Sequence, residues 1–281
     1  MENNREIISP FIIHKPEEVI KPIWFMDYNK PHVGEIHKTN QGYDVMIIDY
    51  NTNKHVTVQF MSNDIKRDVQ MGVIYDGEIR NPYHPNQYGG YLGEGIYNTR
   101  NKKIHQTWNN MLQRHNINIG YYNPLNASYI NSSICNEWYN YQNFALWYDN
   151  YISSLNPDFY KLYELDKDIL QWNNEYKIYS PNTCCIVPKE INISLIGIQC
   201  IRSAHMPGVR KKGNKYEVRI GYKGYYIGSY NTPEEAFEAY IKAKKERLCF
   251  LADKYYSINA IKKEVYDALY NLEISPYAPT E

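Results

Sequence analysis

Three changes of residue pattern predict an α+β chain in several parts. Residues 30–80 alternate apolar and polar side chains as half-buried strands do. Residues 95–195 begin with two stretches whose apolar side chains recur at helical spacing, and residues 196–281 join a basic, strand-like stretch to a helix with its own start signal. The expected division is 1–90, 91–195 and 196–281. The first part is read as a small β-barrel-like domain. The second is strands with flanking helices, and the third a three-stranded antiparallel sheet packed on a helix.

In the first part, Val33-Gly34-Glu35-Ile36 reads as a strand, Gly42 to Tyr50 as a second, and Lys54 to Phe60 as a third, with a turn at Asn51-Thr52-Asn53. A Pro- and Gly-rich stretch from Asn81 to Gly93 marks a boundary. In the second part, Ile104, Trp108, Met111, Leu112 and His115 fall on one helical face, and Trp138, Tyr141, Phe144, Ala145, Tyr148 and Ile152 on another. Segments 164–170 and 179–188 then read as a β-hairpin, with a polar turn at Asn173-Asn174, leading into a short helix near Glu190-Ile191-Asn192. Trp138, Phe144 and Trp147 are expected in the core rather than on a base-stacking surface. His105 and His115 are expected as packed histidines, with service as a base the alternative. Cys135, Cys184, Cys185 and His115 match no zinc spacing.

Composition sets the limits. With 31 basic and 31 acidic residues the 281-residue chain has no global nucleic-acid signature, so any polyanion site must be a local patch. No apolar run approaches the ~18 residues of a membrane helix. The start, Met1-Glu2-Asn3-Asn4-Arg5, lacks the apolar core of a signal peptide. The five cysteines form no C-x-x-C pair and suit a reducing compartment. These features predict a cytoplasmic protein with no membrane partner.

The local patch is in the third part. From Ile196 to Tyr230 the bases are Arg202, Arg210, Lys211, Lys212, Lys215, Arg219 and Lys223, and the only acid is Glu217: seven against one, a local charge of +6. If Tyr216, Val218, Ile220 and Ile227 pack on the helix, Lys215, Glu217, Arg219 and Tyr226 face outward, and Arg210 and Lys212 extend that face. Such a sheet fits the major groove of double-stranded DNA, where Arg pairs with guanine and Lys and Tyr hold phosphates. A solvated basic surface on a packing domain is the alternative. Thr232, Pro233 and Glu235 supply a cap, a first-turn proline and a capping box for the following helix. That helix buries Phe237, Tyr240, Ile241, Leu248 and Leu251. A last helix carries Ile258, Ile261, Val265, Leu269 and Leu272.

The run Gly208-Val209-Arg210, Lys215 to Ile220, Tyr226 to Tyr230, Thr232 to Ala236 and Ala239-Tyr240 resembles the APETALA2-type DNA-binding domain over about 50 residues. The resemblance places groove reading on Arg210, Lys212, Arg219 and Tyr226. Arg219 stands where plant members usually carry Glu, and Gly221 where they carry Arg, which implies a different base sequence.

The central part resembles the HNH (ββα-metal) homing-endonuclease-like proteins of bacteriophages. The resemblance is carried by Trp108-x-x-Met111-Leu112-x-Arg114, Cys135 to Trp138, Phe144-x-x-Trp147, Leu165 to Asp168, Tyr179-Ser180-Pro181 and Cys184 through Asn192. It implies that Asp166 and Asn192 hold a divalent metal, Mg²⁺ or Mn²⁺, against a scissile phosphate. It puts Thr183, or Asn182 one residue earlier, where the bracing Asn belongs, and Lys167 where the catalytic His belongs. A lysine is a poor base at neutral pH unless its pKa is strongly depressed. Two functions follow as expectations. One is a metal-dependent endonuclease located by the C-terminal sheet, acting in the host cytoplasm. The other is an HNH scaffold without catalysis that binds DNA or a host protein, for instance as a regulator or an inhibitor of host defence.

Overall fold

A computed structural model describes residues 27, 29–116, 132–195, 208–221 and 224–274. Arg202, His205 and Lys223 lie outside the described residues. The protein is a mixed α+β chain that divides into two units, residues 1–94 and 95–281.

In the first unit, strands β1 (Ile36–Lys38), β2 (Asp44–Thr52), β3 (His55–Phe60) and β4 (Lys66–Val69) form an antiparallel sheet in the order β1-β2-β3-β4. Val45 and Ile47 on β2 and Val56, Val58 and Phe60 on β3 point to one side. There they meet Met71 and Ile74 of the short helix α1 (Met71–Tyr75), and Ile79. The period of two puts every second side chain on that face. The expected barrel is corrected: the sheet is open, with β1 and β4 as its edges, because one short helix and the chain after it cover the apolar face without closure.

The second unit begins with α2 (Lys102–Asn116), followed by strand β5 (Ser132–Ile134), a short 3₁₀ turn at Asn136–Tyr139, and α3 (Tyr141–Ser153). Asn140 caps α3 by accepting the amide of Gln142 at 2.9 Å. Trp108, Trp138, Tyr141, Phe144 and Tyr148 are buried, and the Trp108 indole donates to the carbonyl of Trp138 at 2.7 Å. The aromatic stripe is core, with the Trp138 and Trp147 rings 4.6 Å apart.

Strand β6 (Tyr163–Asp166) pairs antiparallel with β8 (Cys185–Pro188), and α4 (Lys189–Leu195) follows at once. Between them, β7 (Lys177–Tyr179) leaves the hairpin and pairs in parallel with β5, a pairing the sequence pattern does not suggest. Strands β9 (Val209–Lys212), β10 (Lys215–Ile220) and β11 (Tyr225–Tyr230) form an antiparallel sheet with β10 in the centre. Val218 on β10 packs on Ala236, Phe237 and Tyr240 of α5 (Pro233–Ser257), with Val209, Tyr216, Ile220 and Tyr230 around them. Ile227 is corrected from the packed face: β10 and β11 shift register between Val218 and Arg219, and Ile227 is the bulged, exposed residue.

Helix α5 is 25 residues long and serves two cores. Its first half carries the sheet. Its second half buries Leu248, Leu251, Ala252 and Tyr255 beside α4 and α6 (Lys263–Asn271). Glu190 on α4 ties the two helices. It accepts from Lys254 Nζ at 2.8 Å and Tyr255 Oη at 2.6 Å and pairs with Arg247. The expected central and C-terminal parts therefore lie in one unit.

Candidate functional site

The outward face of the C-terminal sheet is built by strand register. Arg210 stands opposite Glu217, Lys212 opposite Lys215, Ser229 opposite Glu217, and Arg219 opposite Tyr226. Residues opposite each other in an antiparallel pair point to the same side. Arg210, Lys212, Lys215, Arg219 and Tyr226 are all exposed, and together they make a cationic face with one aromatic ring. Arg219 makes three contacts on this face. Its guanidinium lies 5.5 Å from the Tyr226 ring centre, donates to the Gly224 carbonyl at 3.0 Å, and approaches Glu217 at 3.8 Å. Lys212 donates to Glu217 at 2.9 Å. The hydrogen bond from Lys212, with the charges of Lys212, Arg219 and Arg210, holds the Glu217 carboxyl below its usual range.

Three glycines let the sheet approach its helix and turn. Gly208 has φ +72°, and a Cβ there would stand 2.2 Å from the Tyr240 ring. Gly221 (φ +71°) and Gly224 (φ +64°) bound the β10–β11 turn in conformations that side chains rarely adopt.

The residues assigned to catalysis by resemblance sit on the β6–β8 hairpin, its loop and α4, and each has local partners. Asp166 is at the end of β6 with 5% of its surface exposed. Its Oδ1 accepts the backbone amides of Asp168 at 2.7 Å and Ile169 at 2.8 Å, holding the loop that follows. Burial, with the charge of Asp168 nearby, pushes its pKa up to about 6. Lys167 is buried and donates to Asp168 at 2.7 Å. Thr183 donates to the Ile178 carbonyl at 2.5 Å and bonds Ser180 Oγ at 2.8 Å. Asn192 donates its side-chain amide to Glu164 at 3.0 Å.

Asp166 and Asn192 are therefore engaged in separate hydrogen bonds. Among the described residues no group of three or more His, Cys, Asp or Glu is placed to hold a metal. These hydrogen bonds engage one carboxylate oxygen of Asp166 and the side-chain NH₂ of Asn192.

Three polar residues that sequence reasoning missed complete this region. Gln171 donates to the carbonyls of Lys167 (2.6 Å) and Ile178 (2.9 Å). Lys177, also buried, donates to the carbonyls of Gln171 and Trp172 and lies 3.9 Å from Asp168. Burial lowers the Lys177 pKa, and the charge of Asp168 works against that. Glu164 is the third. It is two residues before Asp166, and strand period alone puts both on one face. Gln171 and Lys177 carry no sequence signal, because their partners are backbone carbonyls.

Of the histidines, His115 donates from Nδ1 to the Ser132 carbonyl at 3.0 Å, and His105 packs beside Trp108 and Tyr141. Burial lowers the pKa of both. Cys184 and Cys185 are buried and reduced, as is the half-buried Cys135. No described helix is long and apolar enough to cross a membrane. Comparison with protein-family models, with curated proteins and with solved structures finds no match.

Proposed function

We propose that this protein binds double-stranded DNA through the outward face of β9–β11, and that the central hairpin and α4 act as its scaffold. The observation that carries this is the register. It gathers Arg210, Lys212, Lys215 and Arg219 on one exposed face beside Tyr226, while Val209, Tyr216, Val218, Ile220 and Tyr230 go to α5. Alternate arginines and lysines on a narrow twisted sheet suit the width and charge of a major groove. The ion-paired α4–α5 junction then joins the DNA-facing sheet to the rest of the second unit. Within this reading the protein acts by occupancy, as a regulator or an inhibitor of host defence would.

A second reading, metal-dependent cleavage requiring Asp166 and Asn192 with Mg²⁺ or Mn²⁺, is favoured by one observation: α4 follows directly on the paired strands β6 and β8, and these elements carry both residues. One experiment separates the two. The full-length protein is mixed with duplex DNA in a gel-shift assay and with supercoiled plasmid across a range of pH, Mg²⁺ and Mn²⁺. A shift without nicking is expected. Nicking that Asp166→Ala abolishes would establish the second reading, and absence of any shift at low salt would overturn the first.

A further inference from the structure

A carboxylate at the centre of a face meant for a polyanion needs a reason. Glu217 is the single acid among the seven bases of its segment, yet it occupies the middle strand, opposite Arg210 on one side and Ser229 on the other. Lys212, Lys215 and Arg219 complete the outward groups around it. Against a phosphate backbone, an anion there weakens binding to every sequence alike. Against base edges, it is selective. Of the four bases in the major groove, cytosine offers only an amino donor, which a carboxylate accepts; guanine and thymine offer acceptors, which repel it.

Resting on the duplex-binding reading above, we infer that Glu217 is a base-reading residue, the acceptor for the N4 amino group of one cytosine, and that it fixes a G·C pair at that position of the site. The neighbouring contacts suit the role. Arg219 Nη2, at 3.8 Å, and Lys212 Nζ, at 2.9 Å, keep Glu217 ionised and hold its carboxylate in place on the sheet. The Lys212 side chain is 70% exposed and that of Glu217 16%, so the pair is open to solvent on its lysine side. It can exchange that carboxylate for a phosphate and free Oε1 for the base. Arg219, stacked on Tyr226 and bonded to Gly224, is fixed two residues further along the same strand. The guanine it would pair with therefore lies near the cytosine, within the ~7 Å that separates alternate side chains. A purely electrostatic spacer between the cations is the competing role, and it carries no base preference.

The test is selection of a randomised duplex library by the full-length protein, repeated with E217Q and E217A. Wild type should retain sites with an invariant cytosine. Replacing that cytosine by thymine in the selected duplex should weaken binding by roughly 5- to 150-fold. Glutamine reads adenine through its amide, so E217Q should move that one position to adenine or to no preference and leave the others intact. E217A should lose the preference there. The thymine replacement needs no variant, so misfolding of either mutant does not protect the inference. Selected sites without a fixed cytosine, or variants that change affinity for all sequences by one factor, would overturn the inference and leave duplex binding standing. A library from which wild type retains nothing would overturn both.

Discussion

Asn192 on α4 donates to Glu164 on β6 at 3.0 Å, two residues ahead of Asp166 on the same strand. This one bond orders the hairpin against its helix through the side-chain NH₂ of Asn192. The same strand end gives its other polar group, Asp166, to the loop amides. Structural bonds hold the residues that resemblance makes catalytic, and the variants below read out that difference.

Asp166→Asn should fold and bind duplex like wild type, because an amide oxygen can still cap Asp168 and Ile169. Asp166→Ala leaves two buried amides without their acceptor and should destabilise by about 1–3 kcal/mol for each. Urea melts of the two variants check this. Equal loss in both would show that charge, not capping, is what the site needs.

Gly208→Ala should be among the most damaging small substitutions. The left-handed backbone costs a side chain about 1–2 kcal/mol, and the methyl would also strike the Tyr240 ring. A full-length variant with an unchanged melting temperature would contradict the sheet-to-helix packing described.

Thr232→Ala should cost roughly 0.5–2 kcal/mol. The Thr232 hydroxyl accepts the Glu235 amide at 3.2 Å, and Glu235 returns a bond to the amide of Asn231, one residue earlier than an ordinary capping box. Amide hydrogen exchange should rise first over the opening turn of α5, residues 234–237. Unchanged exchange there would place the helix start elsewhere.

Lys244 on α5 is only 3% exposed, and burial lowers its pKa to about 8 from the usual 10.5. Between those values the unfolded chain holds a proton that the folded chain has released, so stability rises with pH across that window. Lys244→Met removes this contribution. The variant's urea midpoint relative to wild type should be higher at pH 7.5 than at pH 10. A constant difference would show that Lys244 keeps its proton when folded.

What the sequence makes legible follows from what kind of force sets each feature. The outward set Arg210, Lys212, Lys215, Arg219 and Tyr226 is readable because strand period is rigid, and the cap at Thr232 because helix starts need specific side chains. Ile227 departs from the packed face because a bulge inserts one residue and leaves no mark in the sequence alternation. Strands β2 and β3 read well, whereas the first strand begins at Ile36 and not at Val33, where the chain turns. Short β4 has no apolar alternation, and the sequence cannot show that α1 covers the face a barrel would have closed. The bonds of Gln171, Lys177 and Glu164 come from folding brought about by the β5–β7 pairing and by α4, which join segments distant in the chain. No local pattern encodes those partners.

Salt dependence of duplex binding by the full-length protein tests the β9–β11 interface most directly. Phosphate contacts release counterions, so log K should fall linearly with log salt, and Lys212→Ala should flatten that slope by ~0.9 while weakening all sequences alike. Arg219→Ala should instead cut discrimination between specific and random duplex by about 1–3 kcal/mol. Identical effects of the two substitutions, or binding that does not respond to salt, would contradict the assignment of the β9–β11 face as the DNA interface.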